Sequence, residues 1–426
     1  MRPKLFYGYV ILALCFINMV VMRGVNGAFG VYYIALLESF SWSHSDGATV
    51  ASVNFLVYAL AAPLVGLGFD RFGPRVLMPL GGALVAAGML ASSFAGSLWH
   101  LYVSYGVMTA LGQGALGFVG HNALISRWFV RRRATAIGIA AMGQGLGALA
   151  MVPMTQFLIG RIGWRSTFAL SAGLILLAIV VPNALLQRRS PQEVGQSPDG
   201  DSPSSEAAGR AAHRAGRGRD WTLGEAFRSY PFWCITVGHL ALGTALFMIN
   251  THIVAHFVSA GFDKLFAAFL AGLIGFVRIG GTVTWGTVSD LLGRDRAYGI
   301  ATLVVIAGIL CLIAVSADSP LWFVYLAAVI YSIGHSAGNP TYGAVIGDIF
   351  SGPKVGLIFG FLEISFGLGS SAGAWLGGYL FDLTGSYAWP LSLCVLCFSI
   401  SGLSIHACLR WQARNAARPL EAAAAL

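Results

Sequence analysis

Residues 266–290 form an apolar run with one arginine, Arg278, near its middle. A guanidinium keeps its charge, and at mid-bilayer depth it costs about 3 kcal/mol on insertion scales, so Arg278 should face a polar cavity or an anion. A second cation, Arg23, stands in the run Met22-Arg23-Gly24-Val25-Asn26-Gly27. Each guanidinium fork can meet a carboxylate with paired hydrogen bonds, so two of them, one from each half of the chain, suit a small organic anion. Arg23 has another reading, as a structural ion pair with Glu363 or Asp46 or a bond to a backbone carbonyl.

Further polar groups recur at helical spacing. Tyr331, His335 and Asn339 follow at four-residue steps on one helix face, with Gly338 and Pro340 weakening the helix there. The tyrosine hydroxyl and the amide could bond a hydroxy acid's remaining oxygens. His335 could carry a proton, its unperturbed pKa of about 6.5 lying in the working range, or simply bond across to another helix. Glu363 lies in an apolar run: beside apolar neighbours it would be a proton carrier, and beside Arg278 or Arg23 an ionic gate that substrate must break. Asn54 and Tyr58, four apart, are candidate lining residues. Gln113, Gly117 and His121 share another run, with His121 near the inner mouth, and His239 reads as a packing histidine.

The elements that must carry these groups are membrane helices. The chain has 426 residues, 57% of them hydrophobic and 10% charged, with a mean hydropathy of +0.74, too apolar for a soluble globular protein. About twelve apolar runs of spanning length occur, at roughly 7–36, 46–69, 75–96, 98–126, 133–159, 165–187, 230–258, 264–291, 297–316, 320–348, 355–380 and 387–410. The first is too long for a signal-peptide core and lacks a small-residue cleavage site, so it should stay attached. The fold class expected is all-α membrane protein, with two pseudo-symmetric six-helix halves. Its divisions would be an N-terminal half over 1–187, a linker over 188–228, a C-terminal half over 229–410 and a tail over 411–426.

The linker is rich in Ser, Pro, Gly and Arg and cannot bury a core. Arg71, Arg75, Arg127, Arg131, Arg132, Arg133, Arg188, Arg189, Arg294, Arg296, Lys354, Arg410, Arg414 and Arg418 fall on its side of the spans; Arg161, Arg165 and Lys264 fall on the other. By the positive-inside rule both termini and the linker are expected to be cytoplasmic, and the expected location is the plasma (cytoplasmic) membrane. The net charge of +9 follows from this topology and calls for no nucleic-acid partner. Cys15, Cys234, Cys311, Cys394, Cys397 and Cys408 lie in apolar runs without metal spacing and read as core residues. No zinc spacing, nucleophile elbow or phosphate-binding loop stands out, so neither an enzyme, a metal site nor a cofactor is expected. Of the 55 glycines many fall in clusters inside spans, such as Gly143-Gln144-Gly145-Leu146-Gly147, where close helix packing explains them.

One motif occurs twice. Gly66, Asp70, Arg71, Gly73 and Arg75 stand between spans 2 and 3, and Gly286, Asp290, Gly293, Arg294 and Arg296 stand between spans 8 and 9. Each copy has a glycine four residues before an aspartate, a glycine three after it, and basic residues following. An aspartate at a helix end can accept bonds from arginines or a helix N-terminus, so Asp70, Arg71, Arg75, Asp290 and Arg294 read as gating residues.

With this repeat the chain resembles the major facilitator superfamily over nearly its whole length. Within it the chain is similar to the monocarboxylate transporter and oxalate:formate antiporter branch. The carrying residues are Trp128-Phe129, Arg131-Arg132-Arg133, and the small residues Ala136, Gly138, Ala140 and Gly143; Phe29-Gly30-Val31-Tyr32-Tyr33 and Tyr379 through Tyr387 look like bacterial members. Resemblance also favours His252, beside Asn250 and Thr251, over His256 as a cavity or outer-gate residue. The chain departs where the family's first-span lysine and eighth-span arginine would align near Gly27 and Thr282. Here Arg23 and Arg278 stand one turn earlier, a shift of about 5.4 Å on nearly the same face.

The expected function is an alternating-access secondary transporter of a small organic anion. Proton-coupled symport of a lactate- or pyruvate-like monocarboxylate comes first, and exchange of an oxalate-like dicarboxylate second. A non-transporting nutrient sensor signalling through the linker is the alternative from another class. Partners are the anion, a proton and the lipid bilayer, and a monomer is expected. The residues assigned to substrate are Arg278, Arg23, Tyr331, Asn339, Asn54, Tyr58 and His252, and those assigned to the proton are His335 and Glu363.

Overall fold

Two glycines with left-handed φ make the repeated turns. Gly73 (φ 76°) ends the helix His44–Phe72, and Gly293 (φ 84°) caps the start of the helix Arg294–Ile313. Side-chain-bearing residues rarely adopt these angles, which is why a glycine follows each aspartate by three. Pro74, at the first position of the next helix, needs no partner for an N–H and fixes φ for helix entry.

The computed structural model describes residues 6–129, 133–200, 221–350 and 355–424. Arg131, Arg132, Lys354 and linker residues 201–220 lie outside them, as do the side chains of Asp70, Arg133, Asp290, Asn339, Arg414 and Arg418. Among the described residues every regular element is a helix. The helices are α1 (Gly8–Gly27), α2 (Phe29–Phe40), α3 (His44–Phe72), α4 (Pro74–Ser93), α5 (Leu98–Leu101), α6 (Ala110–Ala115), α7 (Phe118–Trp128), α8 (Arg133–Ile175) and α9 (Val181–Leu186). After the linker come α10 (Leu223–Phe227), α11 (Tyr230–Ser259), α12 (Lys264–Leu292), α13 (Arg294–Ile313), α14 (Leu321–His335), α15 (Gly338–Ile349), α16 (Val355–Thr384) and α17 (Ala388–Ala424). Wider π-helical turns join α5 to α6 (Tyr102–Thr109) and α8 to α9 (Leu176–Val180).

Among the described residues eight helical stretches are long and apolar enough to cross a membrane. One of them, Thr135–Leu186, has 52 residues and turns at Gly163 (φ 77°), so it supplies both the fifth and sixth expected spans. The second is the 29-residue α3. The fourth and tenth are broken: α6 stops at Ala115 and α7 starts after Gly117, while α14 stops at His335 and α15 starts at Gly338. Together these account for the twelve spans.

By contacts the chain forms two compact units. The first comprises Met1–Gly216 with Ile253–Val258 and Phe262–Phe276, and the second Arg217–His252, Ser259–Gly261 and Val277–Leu426. In the first, α1 packs so closely on α8 that a Cβ at Gly147 would overlap the Val20 carbonyl. Lys264, at the start of α12, meets both carboxylate oxygens of Glu38 in α2 at 2.6 and 2.7 Å. In the second unit α11 meets α16 in the same manner, with Gly369 against the Leu240 carbonyl and Gly373 against that of Thr244. In apolar surroundings small residues of this kind let backbones approach and gain dispersion contacts.

The linker begins as an ordered strap. The Tyr7 backbone N–H donates to Gln196 Oε1 (2.9 Å), the Tyr7 hydroxyl donates to the Leu186 carbonyl (2.7 Å), and Pro191 is buried. Arg189 passes over Gly73 in the α3–α4 turn.

Candidate functional site

The second unit sets Arg278 beside a phenol and an imidazole. Arg278 lies on α12, which is pinned to α14 and the break that follows it by two contacts. Trp285 Nε1 donates to the Ile333 carbonyl (2.8 Å), and Gly281 leaves room for the Ser336 hydroxyl. With the helices in this register Arg278 interacts electrostatically with Tyr331. The His335 ring stacks on Tyr331 with centroids 4.8 Å apart and planes 13° apart, and its Nδ1 lies 3.2 Å from the Tyr331 carbonyl. Both rings are buried. Asn339 falls one turn further, in α15.

Glu363 lies on α16 in the same unit. It is half-buried, and among the described residues it makes no ion pair. The expected pairing of Glu363 with Arg278 is therefore not formed. A carboxyl in a span without a counter-charge is cheapest as the neutral acid, which leaves the proton-carrier reading.

Arg23 is half-buried on α1 in the first unit. Asp46, one of its expected partners, sits in the first turn of α3, where its backbone N–H donates to Ser43 Oγ (3.1 Å), and among the described residues it forms no ion pair. Asn26, one turn beyond Arg23, has a buried Oδ1 without a hydrogen-bond donor. The sequence reading passed over Asn26, although it stands in the same departing segment as Arg23.

Other expected lining residues are already engaged. Asn54, buried on α3, donates its amide to the Tyr105 carbonyl (2.9 Å) and Thr109 Oγ1 (2.8 Å), serving the carbonyls that the π-helical turn displaces. Tyr58 is more open, its hydroxyl lying over Gly117 at the α6–α7 break. His252 Nε2 lies 2.8 Å from the Ala374 carbonyl, a bond across from α11 to α16, and its ring is 5.7 Å from that of Tyr387.

Of the gating residues, Arg71 is exposed and lies over the Phe72 ring, and Arg75 is exposed. Arg294 forms a two-pronged pair with Asp348 at the end of α15, Nε to Oδ2 2.7 Å and Nη2 to Oδ1 3.2 Å. Nothing in the local motif pointed to Asp348. Because both side chains are partly solvated, a double-mutant cycle of Arg294→Ala and Asp348→Ala should give a coupling of only about 0.5 kcal/mol in thermal stability, screened by salt. A coupling several times larger would mean the pair is shielded from water. Among the described residues no cluster could hold a metal, and all six cysteines are free thiols.

The family model of the Major Facilitator Superfamily matches residues 14–286 and 267–425. Monocarboxylate transporter 13 of Bos taurus is 29% identical over 381 residues, covering 89% of this chain and 84% of its own. Monocarboxylate transporter 12-B of Danio rerio is 26% identical over 434 residues, covering 96% and 90%. Among solved structures, a bacterial homolog of the human lysosomal transporter Spinster, in an inward-facing and unoccupied conformation, has a TM-score of 0.70 at 18% identity, over 96% of this chain and 98% of that one. At that identity the likeness concerns the fold, a twelve-span helical bundle. The chain belongs to the major facilitator superfamily, in its monocarboxylate transporter branch.

Proposed function

We propose that this transporter carries a small monocarboxylate, lactate- or pyruvate-like, together with a proton. The observation that carries the reading is Arg278 set against Tyr331 with His335 stacked behind it. A fixed cation takes the carboxylate in a fork, and the phenol and imidazole edges bond what remains of the acid. Asn339, one turn on, would add an amide. Arg23, in the first half of the chain, would also bind substrate, as would Asn54, Tyr58 and His252. Glu363, lacking an ionic partner, would take up the proton, with His335 as the alternative carrier. Asp70, Arg71, Arg75, Asp290 and Arg294 would latch the cytoplasmic ends. In this reading the halves over 1–187 and 229–410 alternate access around the anion, and the termini and linker face the cytoplasm of a cell whose plasma membrane holds the carrier as a monomer.

The test is uptake of labelled lactate into proteoliposomes driven by an inward proton gradient with no anion inside. Accumulation several-fold above equilibrium, abolished by a protonophore, is the expected outcome. Uptake that appears only when a counter-anion is loaded inside would instead establish exchange. That second reading, with an oxalate-like dicarboxylate, is favoured by the second membrane arginine, Arg23, which a monoanion paired with a proton does not require.

A further inference from the structure

Two buried polar clusters outside the anion site occupy equivalent places in the two halves. In the first unit Asn18 of α1 and Asn183 of α9 exchange amide hydrogen bonds, Asn18 Nδ2 donating to Asn183 Oδ1 (3.1 Å) and Asn183 Nδ2 donating to Asn18 Oδ1 (2.8 Å). The other N–H of Asn183 goes to the Ile179 carbonyl (2.7 Å), and the remaining N–H of Asn18 goes to His121 Nε2 on α7 (3.2 Å). Since that nitrogen must accept, the imidazole proton sits on Nδ1 and donates to the Gly117 carbonyl (2.9 Å) at the break before α7. All three side chains are almost wholly buried, and each amide N–H is used. Every such bond raises the cost of breaking the others, because an orphaned buried polar group forfeits its solvation.

In the second unit Tyr342 of α15 and Tyr298 of α13 both bond Ser401 Oγ of α17, at 2.9 and 2.7 Å. His239 of α11 stacks on Tyr342, centroids 4.4 Å apart, and its Nδ1 lies 3.3 Å from the Leu362 carbonyl of α16. Gly238 is what admits the Tyr342 hydroxyl, since a Cβ there would overlap it. The correspondence extends to the residue. Gly117, His121 and Asn18 recur 221 positions later as Gly338, Tyr342 and His239, so each cluster grips its helix four residues after the glycine at the break.

We propose that the Asn18–His121–Asn183 and Tyr298–Tyr342–Ser401 clusters, the latter with His239, are positioning clamps that fix the half-helices α7 and α15 to their own units. The half-helices then travel with those units during transport and do not hinge at Gly117 and Gly338. This does not rest on the identity of the anion. Neither cluster includes Arg278, Tyr331 or Glu363, so loosening a clamp should slow the conformational step and leave binding alone.

Asn183→Ala and Tyr342→Phe each open one clamp, and Ser401→Ala is a second route to the latter. In the full-length protein in lipid nanodiscs, hydrogen exchange of α7 should rise ~10-fold in Asn183→Ala with α15 unchanged, and the reverse should hold for Tyr342→Phe and Ser401→Ala. In proteoliposomes the maximal rate of lactate exchange should fall with KM unchanged. Unchanged protection of the half-helix, protection lost in both half-helices together, or raised exchange with an unaltered maximal rate would each overturn the proposal. If the wild type does not move lactate, the substrate reading fails by itself, and the clamps are decided by the hydrogen-exchange pattern.

Discussion

Arg278→Gln is expected to lower lactate uptake at least 100-fold while leaving the unliganded protein as stable as the wild type, or more so. The two halves of this expectation have the same origin. Placing a guanidinium within a span costs about 3 kcal/mol on insertion scales, and a neutral amide of similar reach carries a smaller cost. With the anion bound, two charge-assisted hydrogen bonds of about 1.5–3 kcal/mol each are lost, which corresponds to a hundredfold or more in affinity. Arg278→Lys keeps the charge and loses the fork, so it should fall between the two, with uptake reduced about tenfold. Initial-rate uptake across a concentration series, with thermal stability measured on the same preparations, separates the cases. If Arg278→Gln transports within threefold of the wild type, Arg278 does not hold the anion. If it unfolds early and transport falls only in proportion, its role is structural.

Several features of this fold can be read from residue types alone, and they share a cause. Apolar runs of spanning length have one low-cost place to go, so the twelve spans follow from hydropathy. Gly73 and Gly293 were legible because a turn with positive φ admits few other residues, and the repeated spacing after Asp70 and Asp290 marks both copies. Arg278 was legible because a cation in the middle of an apolar run needs an explanation.

What escaped depends on contacts between segments far apart in the chain. Asn54 and His252 read as cavity residues, and their bonds to the Tyr105 and Ala374 carbonyls were not legible, because a backbone acceptor leaves no mark in a side-chain pattern. The π-helical turns have no signature of their own. The breaks at Gly117 and Gly338 are lost among 55 glycines, most of which serve packing. Asn18 was overlooked because an isolated asparagine in a span means little until Asn183 and His121 are seen to complete its hydrogen bonds. Asp348 is 54 residues from Arg294, and nothing in the motif around Asp290 announces it.

Glu363→Gln is the sharpest test of proton coupling. The amide has the shape of the protonated acid and cannot release a proton, so the variant should behave as a carrier held permanently in its protonated form. Equilibrium exchange of labelled lactate, which needs no deprotonation if the proton stays bound throughout, should proceed at close to the wild-type rate. Net uptake driven by a proton gradient requires release on the far side, and it should fall by at least tenfold. The same variant should lose most of the pH dependence of exchange, because the group that titrates during the cycle is gone. His335→Gln provides the comparison: stacked on Tyr331 beside Arg278, it should weaken anion affinity and change KM, whereas Glu363→Gln should change the maximal rate of gradient-driven uptake. If instead Glu363→Gln accumulates lactate against a gradient as the wild type does, the proton travels by another group, and His335 is the residue left to carry it.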